Sequence, residues 1–148
     1  MADASSEVRD GMRIEWDVQI PVEDGYVVAD VFRPENDDQH PVLLAASPYA
    51  KGLPFSQGYQ DQWTKLLRDR PEVMNGSSGA YQAWEYPDPE RWVPLGYACA
   101  RVDTRGTGAS PGDVDFFSPQ ETRDLYTAVE WAGTQPWSSG KVGMLGIS

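Results

Sequence analysis

The sequence predicts an α/β fold, an antiparallel hairpin followed by parallel strands with crossover helices, on three observations. An unbroken apolar alternation from Met12 to Val22 leads through an Asp-Gly turn into a second β-rich segment, Tyr26–Arg33. Val42–Ala46, Tyr97–Val102 and Lys141–Ile147 read as three further short strands. A capped amphipathic helix lies between the last two, which is the order that builds a parallel sheet.

Residues 1–11 are small, polar and charged, without the apolar core of an export signal, and are expected to be a flexible N-terminus. From Met12 to Val22 the apolar positions are Met12, Ile14, Trp16, Val18, Ile20 and Val22, which is the period of a half-buried strand. Glu23-Asp24-Gly25 turns the chain into Tyr26–Arg33, and Pro34–Pro41 is a polar loop. Val42–Ala46 is continuously apolar, the pattern of a strand covered on both faces. Between about residues 52 and 94, glycines and prolines interrupt every pattern, so an irregular insertion is expected. Within it Trp63, Leu66 and Leu67 share one face of a helix over Tyr59–Arg68, and Trp84, Tyr86 and Trp92 either pack the excursion down or serve a lid. Tyr97–Val102 ends at Asp103 and the Gly-rich loop Thr104–Gly112. Ser118 as N-cap, Pro119 in the first turn and Glu121 three residues after the cap start a helix, whose inner face carries Leu125, Ala128, Val129 and Ala132. It ends near Gly133–Pro136, before the strand Lys141–Ile147.

Composition narrows the function classes. The 148 residues carry 12 Lys+Arg against 23 Asp+Glu, a formal charge of −11, which argues against nucleic acid or anionic membrane as a partner. No apolar run reaches the roughly 18 residues of a membrane span, and the protein is expected to be cytoplasmic. One cysteine excludes an intrachain disulfide framework. Asp37-Asp38 and the pair Asp113 and Asp115 are too sparse for a cation site, so no metal is expected. There is a single histidine, His40.

Gly146-Ile147-Ser148 reads as the first half of a G-x-S-x-G nucleophile elbow, in which small neighbours allow the sharp turn that lifts a serine from the sheet. Alone, such a triplet is more ordinarily a strand-ending serine that caps a helix. Its company changes that. Pro48-Tyr49-Ala50-Lys51, the loop Asp103-Thr104-Arg105-Gly106-Thr107-Gly108-Ala109-Ser110, and Asp124 through Ser148, with Gln135-Pro136-Trp137-Ser138 and Gly140-Lys141-Val142-Gly143-Met144, occur together. Read together they resemble the N-terminal part of the cocaine-esterase and Xaa-Pro dipeptidyl-peptidase-like family of α/β-hydrolases. The resemblance spans residues 12–148 and is loose over 52–92. Ser47 and Thr127 depart from the family's usual residues, which leaves the subfamily open.

The resemblance implies a partial α/β-hydrolase catalytic domain over 12–148, with Ser148 as the acyl-accepting nucleophile and Tyr49 as an oxyanion-hole donor. One such donor is worth roughly 3 kcal/mol of transition-state stabilisation. Asp103 and Arg105 are expected to support the active-site loop in a structural pairing. The triad acid and histidine follow the nucleophile in this fold, so the chain is expected to be an N-terminal fragment, inactive alone. His40 is expected in a solvated loop at the opposite end of the sheet, Cys99 as a small buried hydrophobe, and the Arg105–Gly108 glycines as a tight turn rather than a phosphate loop. The implied activity is cleavage of ester, amide or X-Pro dipeptidyl bonds through an acyl-enzyme, with a small ester, amide or short peptide as substrate. No cofactor is implied, and the full-length protein has room to be a homo-oligomer. The alternative from another class is a non-catalytic binding or scaffolding domain with the same architecture.

Overall fold

In the computed structural model, which describes residues 4–147, the alternating segment Met12–Val22 is one long strand (β2), paired antiparallel with Gly25–Pro34 (β3) through a tight turn in which Asp24 takes φ 60°. His40–Ser47 (β4), Ala98–Asp103 (β5) and Ser138–Met144 (β6) follow. With Ser5–Arg9 (β1) they form one six-stranded sheet in the order β1-β2-β3-β5-β4-β6. β5 and β6 run parallel to β4 on either side of it, and β3 joins β5 antiparallel. The expected hairpin and parallel strands are therefore present.

The strand β1 lies inside the segment expected to be flexible. All five of its residues are exposed, and its polar sequence carries no apolar period. What forms it is the turn Asp10-Gly11, with φ values of 54° and 74°, which folds Ser5–Arg9 back onto β2. The same dipeptide type marks the next hairpin, so the signal was in the sequence.

β2 is not a simple half-buried strand. Glu15 pairs with Val31 and Val18 with Ala29, so β2 spends one residue more than β3 across this interval. That residue count is a β-bulge, and Asp17 in it takes φ 52°. Because side chains alternate with period 2, one extra residue exchanges the two faces. Met12 and Ile14 pack with Phe32, Cys99, Tyr81 and Val93 on one side of the sheet. Ile20 packs on the other side with Val27, Ala29, Val31, Val42, Leu44, Ala100 and the helix residues Ala128 and Ala132. The numerical alternation is continuous, yet it serves both faces.

The long helix Pro119–Thr134 (α4) begins as its sequence dictates. Ser118 Oγ accepts the Glu121 amide at 3.1 Å, and the Glu121 carboxylate accepts the amide of Phe117. Ala128 and Ala132 are buried against the sheet, with Leu125 and Val129 packed beside them. Gln135 ends the helix in an extended conformation before Pro136. β6 starts three residues earlier than expected because the His40 amide bonds to Trp137 O and draws Ser138 into the ladder. After Leu145 donates to Leu44 O, the chain leaves the sheet.

The insertion is ordered in short pieces: Phe55–Gly58 (α1), Gln60–Asp69 (α2), Pro89–Trp92 (α3) and single 3₁₀ turns at Pro71–Met74 and Val93–Leu95. Trp63, Leu66 and Leu67 are the half-buried face of α2. Phe55 meets Tyr59, Trp63 and Trp84, and Tyr59 stacks on Trp84 at 4.6 Å. Tyr86 is buried, its Oη 3.1 Å from the carbonyls of both Ser47 and Val102. The aromatics thus pack the insertion onto the sheet.

Candidate active site

Three parallel strands deliver their C-terminal ends to one edge of the sheet. Ser47 at the end of β4 pairs with Asp103 at the end of β5, and Met144 at the end of β6 pairs with Leu44. Residues 145–147 continue from β6 toward that edge, where Ile147 is 77% exposed. Ser148, the expected nucleophile, lies outside the described residues. This edge is where open α/β sheets hold their chemistry.

Tyr49 sits there, two residues past β4 and 38% exposed. Its amide donates to Ser47 Oγ at 3.3 Å. The next residue, Ala50, takes φ 67°, a left-handed conformation that a side chain resists. Lys51 then turns inward and is only 5% exposed. Its ammonium lies 2.7 Å from Asp17 Oδ1 and 2.8 Å from Asp30 Oδ1. Burial alone would lower the Lys51 pKa, but the two carboxylates outweigh it and hold the amine above its usual range. The Asp17 amide donates to Asp30 as well, so the bulge in β2 closes this cluster.

Asp103 joins the loops. Its carboxylate accepts the Lys51 amide at 2.7 Å and the Ala109 amide at 2.8 Å, with Tyr86 Oη at 3.4 Å. Burial pushes its pKa up, against the pull of those amides and of Lys51. The loop after it is a chain of turns. Gly106 N donates to Pro111 O, Thr107 N to Thr104 O and Ser110 N to Thr107 O, while Ser110 Oγ donates to Asp103 O and accepts from Val28 N. These amides are consumed inside the loop, which agrees with a tight turn and leaves little to cradle a phosphate. Gly108, at φ 51°, approaches so closely that a Cβ there would stand 2.1 Å from Asp103 Oδ2.

Asp103 and Arg105 take different partners. Asp103 faces inward to the loop amides, whereas Arg105 reaches α4, donating to both carboxylate oxygens of Asp124 and to Glu23 O. His40 is not in a solvated loop: it is buried at the start of β4, with Nδ1 3.0 Å from Gly96 O and Nε2 2.8 Å from Asn36 Oδ1. Pairing with β6 extends β4 back to His40 and draws it out of the loop. It stands at the end of β4 away from Tyr49, as expected. Cys99 is fully buried, and burial pushes its thiol up to about 12, so it stays protonated and inert at neutral pH.

Sequence reasoning did not assign a role to Lys51, Asp17 or Asp30. The available signal was Asp30, a carboxylate inside the apolar run Tyr26–Phe32, which must find a cation when buried.

Residues 24–148 match a protein family described as X-Pro dipeptidyl-peptidase (S15 family). Cocaine esterase of Rhodococcus sp. (strain MB1 Bresler) is 32% identical over 135 residues, covering 88% of this chain and 18% of that protein. A putative Xaa-Pro dipeptidyl-peptidase of Bacillus anthracis is 29% identical over 136 residues, covering 80% of this chain and 21% of the relative. Among solved structures, a CocE/NonD family hydrolase from Staphylococcus aureus superposes with a TM-score of 0.77 at 28% identity, over 99% of this chain and 26% of that one. The chain thus spans about a fifth of the length of the curated relatives it matches.

Proposed function

Because the chain belongs to the X-Pro dipeptidyl-peptidase (S15) family and has the N-terminal portion of an α/β-hydrolase fold, we propose that it carries the acyl-accepting half of a serine hydrolase site acting on esters, amides or X-Pro peptides. Ser148 is the nucleophile in this reading, and Tyr49 donates to the oxyanion as negative charge develops on the carbonyl oxygen. The observation that carries it is the place of Tyr49. It is exposed at the sheet edge toward which residues 145–147 lead, and its phenol makes no hydrogen bond among the described residues.

A base must take the serine proton. His40 is buried with both ring nitrogens engaged at the other end of β4, so it does not serve as that base. The test is hydrolysis of a p-nitrophenyl ester by the chain alone and by a chimera in which it replaces the matching segment of the Rhodococcus cocaine esterase. The chain alone is expected to show no serine-dependent rate. The chimera should be active, lose activity on Ser148→Ala, and lose about 10²- to 10³-fold in kcat on Tyr49→Phe. A chimera indifferent to Ser148→Ala would overturn the reading, and a Ser148-dependent rate from the chain alone would show that a group within these 148 residues serves as the base.

A further inference from the structure

Lys51 is an expensive residue to bury. A desolvated ion pair is weak support for stability, since apolar side chains of the same volume often do as well or better. Here the cost is met with two strands and a bulge. Asp30 from the middle of β3 and Asp17 from the bulge of β2 both hold the ammonium. Two non-glycine residues around this cluster, Asp17 and Ala50, sit at left-handed φ values of 52° and 67°. Such outliers persist only where the surroundings over-determine them, and they point to function when they meet at a site.

What the cluster fixes is the arch from Ser47 to Lys51, with Tyr49 at its crown. One foot is Ser47, whose carbonyl accepts from Thr104 N and whose Oγ accepts the Tyr49 amide. The other foot is Lys51, held at its amide by Asp103 and at its ammonium by Asp17 and Asp30. Leu53 N donates to Ala50 O and closes the turn behind it. The crown itself is exposed, so its orientation depends on its feet.

We infer that the Asp17–Lys51–Asp30 cluster is the positioning device for Tyr49, setting where its phenol points at the sheet edge; the inference rests on the reading of Tyr49 as the oxyanion donor. An oxyanion donor must be placed within about 0.5 Å to be useful. A directional ammonium clamp provides that placement, and a greasy contact of equal volume does not. Lys51, Asp17 and Asp30 are positioning residues in this account, acting on the reaction through Tyr49.

The test is ¹⁹F NMR of the chimera with 3-fluorotyrosine placed at Tyr49, and separately at Tyr126, which lies on α4. The parent chimera should give one narrow Tyr49 signal. Lys51→Met is expected to broaden or split it while the Tyr126 signal stays unchanged. Asp17 is 31% exposed at its side chain, so Asp17→Asn is the milder change; it should shift the Tyr49 signal in the same direction and decides the matter if Lys51→Met does not fold. A folded Lys51→Met or Asp17→Asn chimera that melts lower but keeps the parent Tyr49 signal would overturn the inference and leave the cluster a purely structural one. The spectrum does not depend on catalysis. Failure of Tyr49→Phe to lower kcat in the chimera would instead remove the oxyanion reading.

Discussion

Arg105 and Asp124 tie the loop after β5 to α4 with two bonds, Nε to Oδ2 at 2.7 Å and Nη2 to Oδ1 at 2.9 Å. Burial by itself would raise the Asp124 pKa, but Arg105 and Gln120 overcome it and hold the carboxyl below its ordinary value. A carboxylate whose folded pKa is depressed contributes stability above its unfolded pKa, about 3.9, and loses it as pH falls through the lower folded value. Arg105→Met is therefore expected to cost about 2 kcal/mol at pH 7, less than for a wholly buried pair because Arg105 is part-exposed, and to flatten the acid side of the profile. Urea unfolding at pH 7 and pH 3 measures both, and equal costs at the two pH values would count against the pair. Arg101 differs: it is buried without a carboxylate bonded to it among the described residues, spanning the carbonyls of Tyr81 and Pro87 with its guanidinium 4.8 Å from the Phe32 ring. Arg101→Met should cost about 2 kcal/mol by leaving those carbonyls unpaired, read as a lower urea midpoint. At this scale the family motifs marked Tyr49, Asp103 and Arg105, whereas the partners of Lys51 come from two other strands and no local pattern joins them.

Elements with local causes were legible. The hairpin turn, the Ser118 cap and the apolar face of α4 each depend on residues within a few positions, and each formed where the pattern placed it. The bulge in β2 was hidden because Met12 through Val22 keeps an even-numbered apolar set on both sides of it. The limits of β4 and β6 shifted because ladder pairing, rather than hydrophobicity, decides where a strand starts. The loop after β5 offers the sharpest test of an element. Gly108→Ala would drive a Cβ into the Asp103 carboxylate at a backbone angle side chains avoid. It should cost about 3 kcal/mol or more, and it should also loosen the Lys51 amide, since both contacts share Asp103. A urea midpoint unchanged from the parent would show that the loop relaxes around the methyl group.

For the whole molecule the decisive feature is the open side of β6. Among the described residues it pairs only with β4, and Met144, Leu145 and Ile147 are exposed beside it. An unpaired apolar edge templates association, so the chain in isolation should self-associate at micromolar concentration, and Met144→Lys should reduce this in light scattering. Monodisperse parent chain would contradict it. The sheet's overall plan was legible because strand, helix and turn signals recur in the order that builds a parallel crossover. The meeting of four separate segments around Lys51 was not, because long-range charge pairing leaves no period in a sequence. The bulge at Asp17 has one more consequence, for how the gene tolerates length changes. A deletion of one codon at the bulge itself would leave Ile20 and Val22 on their present layer, because their pairing with Val27 and Gly25 is kept, whereas the same loss elsewhere in β2 would turn one end of the strand over. Lost or gained residues should therefore be accepted in the polar segment 35–39 and rejected inside β2 away from Asp17.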